Sequence, residues 1–435
     1  MRLDLGTFPV REARFGSRTR WADGLLEIDR EAVLDLARSD PNLQRVDVEL
    51  ARPGESVRIW PVRDVVEPRI KVDGPGVAYP GTVGRDVRTV GRGRTHRLAG
   101  VGVVEVSNVP WHTAGGDYVE LFVDMRGPWA ELLPQAKLQN VCLVVEPDPG
   151  LDVDEQNYAV HNATLTVSDL LARAVADLEP PQLDVYELPP VTSDLPGVVY
   201  IQCIHSPQAM SGSLKTFCVG VYGLTQLAPP WPLHPNEVLD GAISGPYRTA
   251  FATSWTVVNN PIVLDLYRRH NVDLDFRGVL AFKTEWTTQR EKDLMAAQAA
   301  KMAKLMGASG AIVSWDAGGN EFLEVIGTVR ECEREGIRTV LITSEDNPEG
   351  GAATLLQPLP EADAVVSTGY FTSALLELGQ LPAMDRVIGS PVRRVRRQAG
   401  AILIDQEGQP TSGPLDPPWR YDDHYGFNRL SIFAY

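Results

Sequence analysis

Cysteine is scarce in this chain of 435 residues. It has four, Cys142, Cys203, Cys218 and Cys332, and no two of them form a CxxC pair. Each lies in or beside an apolar segment, and the seven histidines are scattered without the spacing of metal ligands. Free cysteine commonly behaves as a small apolar side chain in a core. We therefore expect buried, inert thiols and no metal site.

Long apolar runs are also lacking. Runs such as VCLVV fall far short of the roughly 20 residues that span a bilayer. The opening MRLDLGTFPVREARFG has no apolar segment of the kind found in secretory signals. The net charge of −16 opposes binding to nucleic acid or to an anionic membrane. These features predict a cytoplasmic protein that binds neither nucleic acid nor membrane.

Phosphate-binding motifs are missing as well. The chain has no GxGxxG after a strand and no GxxxxGK[ST], so neither a dinucleotide nor a nucleoside triphosphate is indicated. Gly318, Gly319 and Asn320 do precede a predicted helix, whose free N–H groups favour an anion. These three residues are candidate anion-binding residues, and an ordinary loop is the alternative explanation.

The first half of the chain has the pattern of β-structure. VRIWPVRDVVEPRIKV and RLAGVGVVEVSNV are short apolar or alternating runs punctuated by glycine and proline. They predict a β-rich domain over 1–150. A second segment, 151–272, combines a predicted helix at 154–177, a proline-rich joint and the buried strand VVYIQCIH.

Strands and helices alternate from about residue 273. GVLAFKT, GAIVSW, RTVLITS, ADAVVST and DRVIGS read as five strands, with helices between the first three. Thr288 and Glu291 predict a capping box at the start of the first helix. The pattern predicts an α/β fold in which 273–390 forms a doubly wound, flavodoxin-like parallel sheet. The tail, 391–435, is expected to pack back on the protein or to contact a partner.

Two segments stand out as candidate binding sites. GRDVRTVGRGRTHRLAG places five arginines around His96, and guanidinium groups suit bidentate capture of a carboxylate. A solvated strand pair is the alternative there. The second segment, 240–261, has one charged residue after Asp240, namely Arg248, and is rich in glycine, serine and threonine. It is a buried loop, a cleavage junction or a small-molecule site.

Six motifs occur in an order and spacing that resemble one known family. They are RDVVEPRIKV, TVGRGRTHRLAG, DMRGPWAE, PNEVLDGAI, NNPIVLDLYRRHNVDLDFRGV and GIRTVLITSE. The chain resembles the proprotein subunit of component B of glycine/sarcosine/betaine reductase, a relative of the D-proline reductase proprotein. The resemblance runs to about Gly389.

The resemblance implies an oxidoreductase complex that reductively cleaves a C–N bond. Family proproteins cut themselves at an internal cysteine, which becomes a pyruvoyl group that captures the substrate amine. A partner subunit then supplies a cysteine or selenocysteine that attacks the activated carbon. A hetero-oligomer with such a subunit is therefore expected.

This chain departs from the family at the residue that its chemistry needs. The family's cleavage cysteine lies between the DGAI and NNP motifs, and here that window contains no cysteine. Ser244 or Ser254 can in principle replace it through an acyl shift and elimination. We expect instead an intact chain with no cofactor.

An intact chain can still bind a small amine or amino-acid-like substrate. The window offers neutral donors and acceptors from Ser244, Gly245, Thr253, Ser254, Asn259 and Asn260. We predict that Arg248, or Arg94 from the arginine-rich segment, holds the substrate's carboxylate, and that His96 lies at the site as a neutral group able to accept a proton. The alternatives are a non-catalytic scaffold subunit and a free-standing protein that binds a small carboxylate.

Overall fold

The computed structural model describes most of the chain. The described residues are 1–109, 121–205, 220–223, 229–245, 252–284, 288–316, 321–347, 352–353, 357–370, 383–389, 395–396, 401–402, 423, 425–427 and 430–433. Among them, none of the helices combines the length and the apolar character that a membrane crossing requires.

The helices of the described part are numbered in chain order. They are α1 (Arg30–Arg38), α2 (Pro128–Leu132), α3 (Val153–Ala172), α4 (Pro235–Leu239), α5 (Ser254–Val258), α6 (Pro261–Arg269), α7 (Gln289–Leu305) and α8 (Phe322–Arg334).

Eleven strands precede residue 150 in the described part, which confirms the β-rich reading of the first segment. They are β1 (Arg2–Pro9), β2 (Glu12–Gly16), β3 (Arg20–Ala22), β4 (Leu25–Asp29), β5 (Leu43–Ala51), β6 (Val57–Val66), β7 (Arg69–Asp73), β8 (Gly93–Ala99), β9 (Val101–Val106), β10 (Leu121–Asp124) and β11 (Gln139–Pro147).

The later strands are distributed over the rest of the described chain. They are β12 (Gln182–Glu187), β13 (Gly197–His205), β14 (Gly220–Val221), β15 (Trp231–Leu233), β16 (Ile243–Ser244), β17 (Asp275–Thr284), β18 (Gly310–Trp315), β19 (Arg338–Asn347), β20 (Ala352–Ala353), β21 (Ala364–Tyr370), β22 (Arg386–Ile388), β23 (Val395–Arg396), β24 (Ala401–Ile402) and β25 (Ser431–Phe433).

Besides the small sheet β2-β4-β3, two larger mixed sheets build the N-terminal part. One has the order β12-β1-β8-β7, and the other has the order β10-β6-β9-β11-β5 with β22 beside β6. Valine-rich strands alternate their side chains between two faces, so each sheet can bury one face against helices. The largest core here joins strands of both sheets to α1 and α3.

The largest sheet of the described part is the doubly wound one. Its parallel strands lie in the order β17-β13-β18-β19-β21, with β15 and β25 added antiparallel at its two edges. Numbered along the chain, the parallel strands run 2-1-3-4-5, which is the flavodoxin-like order. The predicted fold class is confirmed.

The membership of this sheet differs from the prediction in two places. DRVIGS was wrongly assigned, because β22 pairs with β6 in an N-terminal sheet. VVYIQCIH, which the sequence placed in the middle segment, is β13 and lies inside the sheet between β17 and β18. A strand of three residues carries too little pattern to fix its partner, and pairing across such distances depends on tertiary packing.

Helices cover both faces of the doubly wound sheet. One face packs on α7 and α8. Ala299, Phe322, Val325 and Cys332 are buried there, while Met302 and Met306 of α7 are only partly buried against this core. The other face packs on α4, α5 and α6. The capping box of Thr288 and Glu291 is confirmed, and Gly307 follows α7 with φ +81°, where a side chain would be strained.

Candidate functional site

Polar side chains collect on one face of the doubly wound sheet at its carboxyl end. Tyr200 on β13 packs into the core on that face, and side chains two residues apart on a strand share a face. The register puts Ser314 beside Gln202 and Lys283 beside Ile204. The set, called here the switch-point cluster, comprises Tyr200, Gln202, Lys283, Ser314, Asp316 and Thr368.

Every member of the switch-point cluster is buried. The exposed fractions are 0% for Tyr200, Gln202 and Ser314, 1% for Asp316, 2% for Lys283 and 4% for Thr368. The cluster lies where β13 and β18 send their connections to opposite sides, which is where doubly wound sheets bind ligands. Buried Lys and Asp side chains are rare in proteins generally, which makes Lys283 and Asp316 candidates for a role in binding.

The NNP motif is tied to this cluster. Asn260 caps α6 by accepting hydrogen bonds from the backbone N–H groups of Ile262 and Val263. Its amide nitrogen donates to the hydroxyl of Tyr200 at 3.2 Å, and that hydroxyl is 2.5 Å from Oγ of Ser314. Burial raises the pKa of Tyr200, so the phenol stays protonated. One asparagine thus ends a loop, starts a helix and orients the cluster.

The charge-poor window folds against a buried aspartate. Oγ of Ser254 donates to Oδ2 of Asp64 at 2.6 Å, and the backbone N–H of Ser254 donates to Oδ1 at 2.8 Å. The N–H of Gly245 donates to Oγ of Ser254 at 2.9 Å. A Cβ added to Gly245 would lie 2.6 Å from the nitrogen of Ser254, so only glycine permits this approach.

The other predicted window residues lie close by. The hydroxyl of Thr82 donates to Oγ of Ser244 at 3.2 Å, and Thr253 is the N-cap of α5. Ser244 pairs with Gly220 across β16 and β14. A Cβ added to Gly220 would meet Cε of Lys283 at 3.4 Å. The window and the switch-point cluster are therefore neighbouring parts of one site.

Asp64 has an unusual protonation equilibrium. Burial raises its pKa from 3.8 to about 7, outweighing the opposing effects of His161 and the two Ser254 hydrogen bonds. Nearby, Glu105 accepts from Nε of Arg63 at 3.1 Å, and its other oxygen lies 2.7 Å from Nδ1 of His161. Burial alone would raise the pKa of Glu105, but His161 and Arg63 together lower it.

The structure does not bring Arg94 and His96 to the window. On β8, Arg94 and His96 face away from Thr95 and Arg97, because neighbouring strand residues point to opposite faces. Nδ1 of His96 is 2.8 Å from the carbonyl oxygen of Val175. Arg97 instead reaches Asn259, donating to its side-chain oxygen at 3.0 Å.

The remaining candidates are placed as follows. Arg248, Gly318, Gly319 and Asn320 lie outside the described residues, as does Cys218. Cys142, Cys203 and Cys332 are free and buried, and burial raises the pKa of each thiol. No group of three or more His, Cys, Asp or Glu within the described part is arranged to hold a metal.

Sequence reasoning missed Asp64, Lys283, Asp316 and Tyr200. The available signal was a charged residue inside, or just after, an apolar strand, as in AFKT and SWDA. That pattern can point to single residues. It cannot predict that they lie close together, because this depends on the strand order.

Fold and site together define a doubly wound α/β protein with a cluster of buried polar residues at its switch point. The chain belongs to the family described as glycine/sarcosine/betaine reductase component B subunits, whose model matches residues 1–408. The resemblance seen in the motifs is thereby confirmed.

Three relatives illustrate the similarity. The chain is 35% identical over 399 residues to the sarcosine reductase complex component B subunit alpha of Peptoclostridium acidaminophilum, with 89% of each chain covered. It is 34% identical over 404 residues to the betaine reductase complex component B subunit alpha of that organism, covering 89% of this chain and 88% of the relative. It is 32% identical over 399 residues to the glycine reductase complex component B subunits alpha and beta of Acetoanaerobium sticklandii, covering 89% of each. No solved structure matches the chain.

Proposed function

We propose that this chain is a subunit of a glycine/sarcosine/betaine reductase-like complex. Its switch-point cluster binds a small amine or amino-acid-like substrate for reductive C–N cleavage. The observation that carries the proposal is the presence of two buried ionisable side chains at the carboxyl end of the sheet, Lys283 in β17 and Asp316 directly after β18. An amino acid carries the complementary pair of charges.

Because Lys283 and Asp316 are buried, they can interact strongly with the opposite charges of an amino acid. Charges interact more strongly in a protein interior than in water, and hydrogen bonds to ionised groups are the stronger ones. Lys283 is the group that would hold a substrate carboxylate, and Asp316 the group that would hold an ammonium. The neutral groups of Tyr200, Ser314 and Asn260 then fix the orientation.

Asp64 and Ser254 transfer protons beside the pocket as a general acid–base pair. A carboxyl group with a pKa of about 7 can take up or return a proton near neutral pH, which is the property of an efficient general acid or base. Through the 2.6 Å hydrogen bond Ser254 acts as a relay: its hydroxyl gives its own proton to Asp64 while it accepts one from the ligand, and the reverse movement returns a proton to the ligand. No pyruvoyl group is required for this step, and the window has no cysteine to form one.

In this proposal a second polypeptide supplies the attacking nucleophile. The three cysteines of the described part are buried with raised pKa values, so none is a thiolate poised for attack. A cysteine or selenocysteine on a partner subunit supplies the nucleophile.

The test is ligand binding by Lys283→Met and Asp316→Asn variants, measured by calorimetry on the purified complex with glycine, sarcosine and betaine as probes. Loss of one charged hydrogen bond weakens binding of the preferred probe about 10- to 100-fold. Lys301→Met, at an exposed position on α7, is the matched control and leaves binding unchanged.

Arg94→Ala completes the comparison, because the sequence pointed to that arginine for the carboxylate. The proposed pocket is contradicted if Arg94→Ala weakens binding while Lys283→Met binds as tightly as the wild type. Binding without turnover in the complex identifies a scaffold subunit. Binding by the lone chain with no partner to be found identifies a free-standing binding protein.

A further inference from the structure

The C-terminal segment lies against the switch-point cluster, although it falls beyond residues 1–408 of the family match. Tyr425 is 2% exposed and belongs to the core on the cluster's side of the sheet. Its hydroxyl accepts a hydrogen bond from Nε2 of Gln202 at 2.8 Å, and Gln202 is fully buried. A residue outside the shared family region therefore contacts the site directly.

Three further contacts hold this segment in place. Oδ1 of Asp423 accepts from the N–H groups of Gly426 and Phe427 at 2.8 and 2.9 Å, which fixes a turn. The rings of Phe427 and Trp255 lie 5.7 Å apart, and Trp255 directly follows Ser254. β25 then pairs antiparallel with β21 at the sheet edge.

Gln202 is left with an unused acceptor. The amide nitrogen of Gln202 donates to the hydroxyl of Tyr425, while Oε1 of Gln202 has no hydrogen-bonding partner among the described residues. A buried acceptor without a donor costs about 1–3 kcal/mol. A ligand that brings an N–H group into the pocket removes that cost, and a ligand without one does not.

We propose that the Gln202–Tyr425 pair selects substrates whose amine carries at least one N–H. The inference rests on the proposed function and narrows its substrate class. Tyr425 holds the amide so that Oε1 accepts from the ligand's ammonium, and residues 425–427 form one wall of the pocket. A primary or secondary ammonium satisfies Oε1, whereas a quaternary ammonium leaves it unpaired.

Calorimetry on the purified complex with sarcosine and betaine tests the selection. Sarcosine has an N–H and betaine has none, so the wild type binds sarcosine at least about 10-fold more tightly. In Tyr425→Phe the amide is released and that ratio falls towards one. Leu430→Ala, 56% exposed on the same segment, is the control and keeps the wild-type ratio. Equal or tighter binding of betaine by the wild type, or an unchanged ratio in Tyr425→Phe, overturns the selection.

A second measurement, made without any substrate, tests whether residues 425–427 form a wall of the pocket. Lys283 is 2% exposed, so acetic anhydride labels it slowly in the wild type, as followed by peptide mass spectrometry. The double change Tyr425→Ala and Phe427→Ala is expected to raise its labelling rate several-fold, while exposed Lys301 labels equally in both proteins. If Lys283 is labelled equally slowly in the wild type and in the double variant, residues 425–427 do not form a wall of the pocket. If neither sarcosine nor betaine binds the wild type, the proposed function and the proposed selection for N–H groups both fail. The labelling of Lys283 then still tests whether residues 425–427 cover the cluster.

Discussion

The residue that most distinguishes the interior of this protein is Asp64. It lies within β6, a strand whose ten residues are all buried, and it still receives three hydrogen bonds, two of them from Ser254. Burial penalises its ionised form more than these bonds favour it. The carboxyl group therefore carries its proton well into the neutral range.

This protonation predicts a pH dependence of stability. Folded Asp64 loses its proton near pH 7, and the unfolded chain loses it near 3.8. Because the folded state holds the extra proton between those values, the contribution of Asp64 to stability falls as pH rises from 4 to 7 and is constant above. In Asp64→Asn, whose amide mimics the protonated acid, the free energy of unfolding falls less over that interval. The difference is a few kcal/mol, at about 1.4 kcal/mol for each pKa unit.

Urea unfolding at several pH values measures this difference. Asp35→Asn is the matched control, since Asp35 is exposed on α1, and it should follow the wild type. An Asp64→Asn protein with the wild-type dependence on pH would show that Asp64 ionises normally.

The sequence predicted individual site residues unevenly, for a physical reason. Ser244, Gly245, Thr253 and Ser254 come from one continuous window, so the family motifs could point to them together. Lys283 and its cluster partners come from separate strands, and only the pairing order brings them together. Arg94 illustrates a finer limit, because a shift of one residue along a strand reverses the face of the side chain.

Among the elements, those defined by local signals were predicted well. The backbone N–H of Thr288 donates to Oε2 of Glu291 at 3.0 Å, and the N–H of Glu291 donates back to the hydroxyl of Thr288 at 3.4 Å. Both residues lie within one turn, so the sequence contains the whole interaction. β22 is the opposite case, because its partner β6 lies at the other end of the chain.

The capping box gives a prediction at this scale. Thr288→Ala removes the acceptor at the start of α7 and lowers the free energy of unfolding by about 1 kcal/mol. Glu291→Gln keeps a side chain that can return a hydrogen bond to the N-cap, so it changes stability much less. Chemical denaturation of the two variants compares them, and equal stability of Thr288→Ala and wild type would contradict the assigned cap.

For the molecule as a whole, the outstanding question is whether the chain stays in one piece. We expect intact-mass analysis of the purified protein to give one species near 47.7 kDa. Two fragments that break beside Ser244 or Ser254 would instead establish self-cleavage. A Ser254→Ala variant then identifies which hydroxyl is responsible, because only removal of the reacting serine restores a single mass.

The pairing of β22 with β6 has a consequence for how the protein is made. The backbone of Asp385 donates to the hydroxyl of Ser56, a contact between residues 329 positions apart. The edge of β6 therefore stays unpaired until a strand more than 300 residues further along the chain has been synthesised, and contacts of such long range slow folding. Until then the sheet that contains β6 has an open margin, which a chaperone is well placed to shield.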